Sequence, residues 1–371
     1  MKRSVLLLGE GGELSFTILS RMALTDFVKP PGEISSKSHS GASDSHGEPR
    51  VSDGETESDL CLTALIQSGN LQSWTSFLSE KGQKGDTFQK VNFLEAQPDG
   101  IDLGLGGEDY LRLAARVDLI VLCPEPSFGV TRKGSRFASL VRMADECVEL
   151  YRAACQSDGQ REIQVLALSS LMVFGSYAEA IAEADFQVGQ RFGHAIEEDW
   201  AIFEKILRQG IPQDQLTLLR TAPIQGDDQR LYVDSPLQRF ASRMVVRGKG
   251  MPLQGSGALV HFETSTRVAE VLNRLAHQFV SGCYHLVDNV PFTDESLLEW
   301  LSERLEVHLE ESRPGRGRAL STWWITPAEQ ITFADPRASS RQGAEELFSD
   351  LLDPDYEDLL ATWFPLQKSL T

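Results

Sequence analysis

The chain has 371 residues and a formal charge of -19, from 54 acidic and 35 basic side chains. That balance repels polyanions, so nucleic acid and the anionic surface of a membrane are excluded as partners. A hydrophobic fraction of 41% and a charged fraction of 24% fit a globular protein with a full core, and the length suits one large α/β unit with a smaller lobe.

Ser4 to Leu8 is a short apolar run that breaks into Gly9-Glu10-Gly11-Gly12 and then an amphipathic stretch, Leu14 to Leu24. This reads as strand, tight turn and helix. The next segment, 29–59, is rich in Ser, Gly and Pro and holds only Ile34, Ala42 and Val51 as larger or branched apolar positions. It cannot bury enough surface to offset its ordering entropy and is read as a disordered insertion. Three further apolar runs follow, Val117 to Leu122, Ile163 to Leu168 and Leu216 to Leu219, separated by helical patterns at Tyr110 to Arg116, Phe137 to Ala154 and Ile196 to Gln209. Strands alternating with helices predict an α/β, doubly wound parallel sheet, with the four runs as parallel neighbours. The expected organisation is a Rossmann-like dinucleotide-binding domain over 1–230, a substrate lobe over 231–320 and an acidic helical extension over 321–371. In that extension Glu345 to Leu352 and Asp355 to Trp363 read as short helices, anchored by Trp323, Trp324, Trp363 and Phe364.

A strand feeding a glycine turn and a helix N-terminus suits a pyrophosphate: glycines admit the backbone and free N–H groups face the anion. Glycines also serve any tight turn, so the motif alone leaves a plain strand-to-helix turn open. The order of elements resembles the extended short-chain dehydrogenase/reductases, closest to their thioester-reductase or fatty-acyl-reductase branch. Gly9 and Gly12 match the first two glycines of that family's phosphate loop, with Ser15 at the third position. The likeness continues through Asp102 to Tyr110, Ser169-Ser170-Leu171-Met172-Val173-Phe174-Gly175, Leu219-Arg220, His261-Phe262 and Gly282 to Asp288. It implies NAD or NADP as cofactor, held through Gly9, Gly11, Gly12, Ser15 and Ser169, and it places the catalytic serine at Ser170. It also implies a small-molecule ligand in the cleft between the lobes; a protein partner or a homodimer stays open.

The departures from that family bear on chemistry. Its Tyr-x-x-x-Lys pair supplies the proton, the ammonium lowering the phenol pKa. None of the six tyrosines, at 110, 151, 177, 232, 284 and 356, has a lysine four residues later. The expected helix, Phe192 to Lys205, holds no such pair in any register, although His194 offers a replacement acid with an unperturbed pKa near 6.5. The family's Asn is absent from Leu140 to Asp145. Glu10 and Glu13 flank the phosphate position, where two unit charges about 6 Å apart at an effective dielectric of 20 repel by roughly 3 kcal/mol before screening. The insertion 29–59 falls where the family's second strand contacts the adenine ribose.

Other chemistry finds little footing. Cys61, Cys123, Cys147, Cys155 and Cys283 form no C-x-x-C pair, so neither a disulfide framework nor a zinc site is expected. Cys123 has no base nearby in sequence and reads as a buried structural thiol. His277 and His285 have no acidic or cysteine ligand at metal spacing. The apolar run before Gly9 is too short for a signal peptide and no stretch reaches membrane-spanning length, so a cytoplasmic location is expected. The leading expectation is a dinucleotide-fold protein that has lost hydride transfer and serves a binding, regulatory or non-redox role. The alternative is a reductase or epimerase-like enzyme acting on a carbonyl or acyl thioester through Ser170 and His194.

Overall fold

The seven strands of the main sheet are all parallel, so the carboxyl ends of the central ones lie side by side. The structure is a computed structural model and describes residues 3–9, 13–24, 60–67, 91–124, 135–157, 161–175, 181–192, 195–222, 224–225, 251–254, 259–260, 263–287, 292–304, 309–310, 318–319 and 342–348. The strands are β1 (Arg3–Gly9), β2 (Leu60–Gln67), β3 (Val91–Ala96), β4 (Leu119–Cys123), β5 (Gln164–Ser170), β6 (Leu216–Thr221) and β7 (Gly282–Leu286). They lie in the order β7-β6-β5-β4-β1-β2-β3. The four strands expected from apolar runs are β1, β4, β5 and β6, and they are parallel neighbours in that sheet.

Central strands of a parallel sheet are covered on both faces, which explains their unbroken apolar character. All of β4 is buried, as is all of β6. Helices α2 (Gly107–Ala114), α3 (Ser135–Ser157) and α4 (Ala195–Gly210) cover one face, where Leu6, Leu122, Ala167, Leu150 and Phe203 share a core. The other face packs α1 (Glu13–Leu24), α5 (Ser265–His277) and α7 (Gln342–Phe348) around Leu7, Val121, Ile18, Val268 and Phe348. Helices α3 and α4 approach closely: a Cβ on Gly210 would stand 2.4 Å from the Val148 side chain.

Three strands depart from the expected layout. The second strand is not displaced by the insertion; β2 follows it directly and pairs with β1 from Arg3↔Leu60 to Leu8↔Leu65. The outer strand β3 pairs with β2. The segment assigned beyond residue 230 to a substrate lobe returns in part to the main sheet, because α5 carries the chain back across its face and β7 pairs in parallel with β6. Short pairings make up the rest: 224–225 with 263–264, 259–260 with 292–293, and 251–254 with 309–310 and 318–319. Helix α6 (Asp294–Arg304) follows the second of these. Of the expected acidic extension, 342–348 is helical; the insertion 29–59, the stretch 355–363 and the four anchoring aromatics lie outside the described residues.

Candidate functional site

The chain leaves β1 for β2 on one side and returns to β4 on the other, so the carboxyl ends of β1 and β4 flank the switch point where doubly wound folds hold ligands. Gly9 and Cys123 are partners across that gap. A Cβ on Gly9 would lie 2.2 Å from Ser15 Oγ and 3.2 Å from the Cys123 carbonyl oxygen. Glycine at 9 thus lets the first turn of α1 press onto the strand end, and the small Ser15, 2% exposed, occupies the contact. Gly11, Gly12 and Glu10 lie outside the described residues, as does His194. Cys123 is fully buried, as expected of a structural thiol.

At the far end of β5 the paired serines diverge, because successive side chains on a strand point to opposite faces. Ser170 is nearly buried; its hydroxyl caps the short turn Leu171–Phe174 by accepting from the Met172 N–H at 3.2 Å. The Ser169 hydroxyl instead donates to Glu204 Oε1 of α4 at 2.6 Å. Strand register sets Ser169 beside Arg220 on β6, and Arg220 beside His285 on β7. One buried polar row therefore crosses three strands on the α4 side of the sheet.

Glu204 organises this row. Its carboxylate receives Arg220 Nε and Nη2, each at 2.8 Å, in a two-pronged pair, and both residues are 0% exposed. Arg208 adds a longer contact of 3.5 Å. Burial alone would push the Glu204 carboxyl up, but Arg220, Arg208 and the Ser169 hydroxyl outweigh it and hold it below the usual range. Burial alone would lower Arg220, and Glu204 reverses that too. Arg220 Nη1 lies 3.2 Å from His285 Nε2. A guanidinium can only donate, so in this contact the ring nitrogen is the acceptor. The Arg220 guanidinium also lies over the Phe174 ring, 4.6 Å from its centre. Burial pushes the neighbouring Cys283 thiol up to about 12, which leaves it protonated and unreactive.

Helix α4 runs back from the carboxyl edge, so residues before Glu204 lie towards Ser170. The positions one and two turns earlier on the same helical face are Trp200 and Ile196. Trp200 is 2% exposed and packs edge-on against Phe203, with ring centres 5.4 Å apart. Lys205, the lysine of this stretch, is exposed on the other side. An indole and an aliphatic side chain thus stand in line with Glu204 on this face of the helix.

The loop between Ser170 and α4 is anchored by Glu183. Its carboxylate accepts from the His285 N–H at 2.9 Å, the Gly343 N–H at 2.7 Å and the Ala344 N–H at 3.1 Å. Burial pushes this carboxyl up, and those donors together with Arg220 pull it back only in part. Among the described residues no group of histidine, cysteine or carboxylate side chains could hold a metal ion, and no helix is long and apolar enough to cross a membrane.

The strand order, the glycine-tight turn from β1 to α1 and the serine closing β5 define a doubly wound, Rossmann-like fold. No protein-family model matches the chain, and no curated protein sequence does. Solved structures do. The terminal R domain of the myxalamid PKS-NRPS biosynthetic pathway superposes with a TM-score of 0.68 at 15% identity, over 97% of this chain and 89% of that one. A thiolation-reductase di-domain from an archaeal non-ribosomal peptide synthetase gives 0.64 at 12%, over 98% and 75%. The Bordetella bronchiseptica enzyme WbmG in complex with NAD and UDP gives 0.56 at 10%, over 97% and 92%. At these identities the likeness is one of fold.

Proposed function

We propose that this protein binds NAD or NADP at the switch point between β1 and β4 and does not transfer hydride, acting as a binding or regulatory protein in the cytoplasm. The observation that carries the reading is the α4 face in line with Glu204, where Trp200 and Ile196 stand in place of a proton-donating pair. Nucleotide binding is supported by the close seat of Ser15 on Gly9 and by the fold shared with WbmG, which was crystallised with NAD. A small ligand lies over Ser170, whose hydroxyl can donate to a carbonyl oxygen, since it accepts from the Met172 N–H. A serine hydroxyl alone orients such a carbonyl but does not protonate it at neutral pH. The test is a calorimetric titration of NADH and NADPH against the purified chain, with nicotinamide absorbance followed in the presence of aldehydes and acyl thioesters. Binding without turnover is expected. Turnover that both Ser170→Ala and His194→Ala abolish would establish the reductase alternative, and no binding at millimolar nucleotide would refute the nucleotide site.

A further inference from the structure

We infer that the C-terminal helix α7 is a strap whose seating on Glu183 sets the conformation of the segment beside Ser170. Three parts of the chain distant in sequence meet at one carboxylate. The His285 N–H projects from β7, the last strand of the sheet, and the Gly343 and Ala344 N–H groups belong to the first turn of α7, where a helix has no internal acceptors. The Glu183 carboxylate thus closes a sheet edge and a helix start together, and its negative charge suits the positive end of the helix dipole.

The far end of α7 is held as well: Arg274 of α5 donates to the Leu347 carbonyl at 3.2 Å. Ala344 and Phe348 are buried, and Phe348 meets the Tyr284 ring edge-on at 6.1 Å. Gly343 lies so close that a Cβ there would stand 2.8 Å from Glu183 Oε2 and 3.2 Å from the Tyr284 ring. Helix α7 is therefore seated by charge at both ends and by apolar contact between them.

From Glu183 the contacts run inward. Its carbonyl accepts from Arg220 Nη1 at 3.4 Å. Gln190 of the same loop donates from Nε2 to the Val173 carbonyl at 3.2 Å and to the Phe186 carbonyl at 3.0 Å. Gly175, at φ +52°, lies against the Arg191 carbonyl, which a Cβ would approach to 2.3 Å. Residues 181–192 are packed on 171–175, the turn that the Ser170 hydroxyl caps. Unseating α7 removes two of the three N–H donors to the Glu183 carboxylate, and the 181–192 segment loosens with it. The inference is independent of whether a nucleotide binds.

The experiment is hydrogen exchange on the full chain, comparing wild type with Glu183→Gln, Gly343→Ala and Arg274→Met. The first puts an amide donor against N–H donors, the second forces the carboxylate aside, and the third loosens the helix from its opposite end. Each variant is expected to raise exchange by at least about tenfold in 342–348 and in 171–175 and 181–192 together, while the central strands β1 and β4 keep their protection. Faster exchange in 342–348 with 171–175 and 181–192 unchanged in the Arg274→Met protein would overturn the coupling, even if the other two variants failed to fold.

Discussion

Replacing Glu204 by Gln removes one charge from a pair in which both members are fully buried, while keeping shape and one oxygen acceptor. Arg220 would then keep only neutral hydrogen-bond acceptors, among them the Glu183 carbonyl at 3.4 Å and His285 Nε2 at 3.2 Å, with the Glu183 and Asp185 carboxylates farther off. Removing one partner of a buried pair costs about 3–5 kcal/mol, because the remaining charge stays desolvated. Against a total stability of roughly 5–15 kcal/mol this is large and measurable. Urea unfolding of wild type and variant at neutral pH should show the midpoint falling with an unchanged slope. The double variant Glu204→Leu/Arg220→Met should be more stable than Glu204→Gln, since it leaves no orphaned charge. The pH dependence has a fixed sign. The Glu204 carboxyl is held below its unfolded value, 4.5, so its contribution is complete above that pH and is lost as pH falls through the lowered folded value. The gap between wild type and Glu204→Gln should accordingly narrow in acid. A loss under about 1 kcal/mol at neutral pH, or a gap that widens on acidification, would refute the assignment of Glu204 and Arg220 as a charge pair holding the β5 and β6 ends together.

Gly9→Ala should weaken NADH binding by at least about tenfold while the chain remains folded, because the new Cβ drives Ser15 from the strand end and disturbs the adjacent turn; calorimetry reads this directly. Installing Tyr and Lys by Ile196→Tyr/Trp200→Lys should not create a reductase: losing the buried indole alone costs on the order of 3–5 kcal/mol, seen in urea unfolding, and no nicotinamide oxidation should appear. Gly175→Ala should destabilise by about 1–3 kcal/mol in the same assay, since its φ is +52° and the Arg191 carbonyl occupies the space; a neutral result would show that the 171–175 turn relaxes freely.

The parts of the fold that were legible in the sequence are those where one physical pattern dominates. Runs such as Leu119–Cys123 are apolar at every position because both faces are covered, and no helix breaks so soon into glycine or proline. At the rim of the sheet the pattern fails. β3 alternates, with Asn92 and Glu95 exposed between buried Val91 and Ala96, and β7 begins exposed at Gly282, so neither carried a continuous signal. β2 was hidden by its position directly after the insertion. At the site, Gly9, Ser15 and Ser170 could be found from the turn and from the family resemblance. The polar row is not legible in this way: Arg220 and His285 are brought together by strand register across 65 residues, and Glu204 and Glu183 reach them from a helix and a loop. A trace was present nonetheless: a glutamate between Phe203 and Leu207 on the buried side of α4, and an arginine ending an apolar strand, each demand a partner of opposite charge.

The distribution of polar groups separates what supports the edge of this sheet from what would react upon it. Glu204, Arg220 and Ser169 are buried and joined by short bonds, with Arg208, His285 and the Glu183 carbonyl completing the row, and such a network fixes geometry. Ser170 alone turns its hydroxyl to the strand end, and Met172 consumes one of its acceptor sites. An acid that protonates a carbonyl near neutrality needs a pKa brought towards that range by a nearby cation or by its own chemistry. The Arg220 guanidinium lies in the row of Ser169, the serine that faces the other side of the strand, and is held there at 2.8 Å by Glu204. Among the described residues the Ser170 hydroxyl is thus the group at this edge placed to orient a carbonyl, which is the observation behind the proposal of a binding rather than a reducing role.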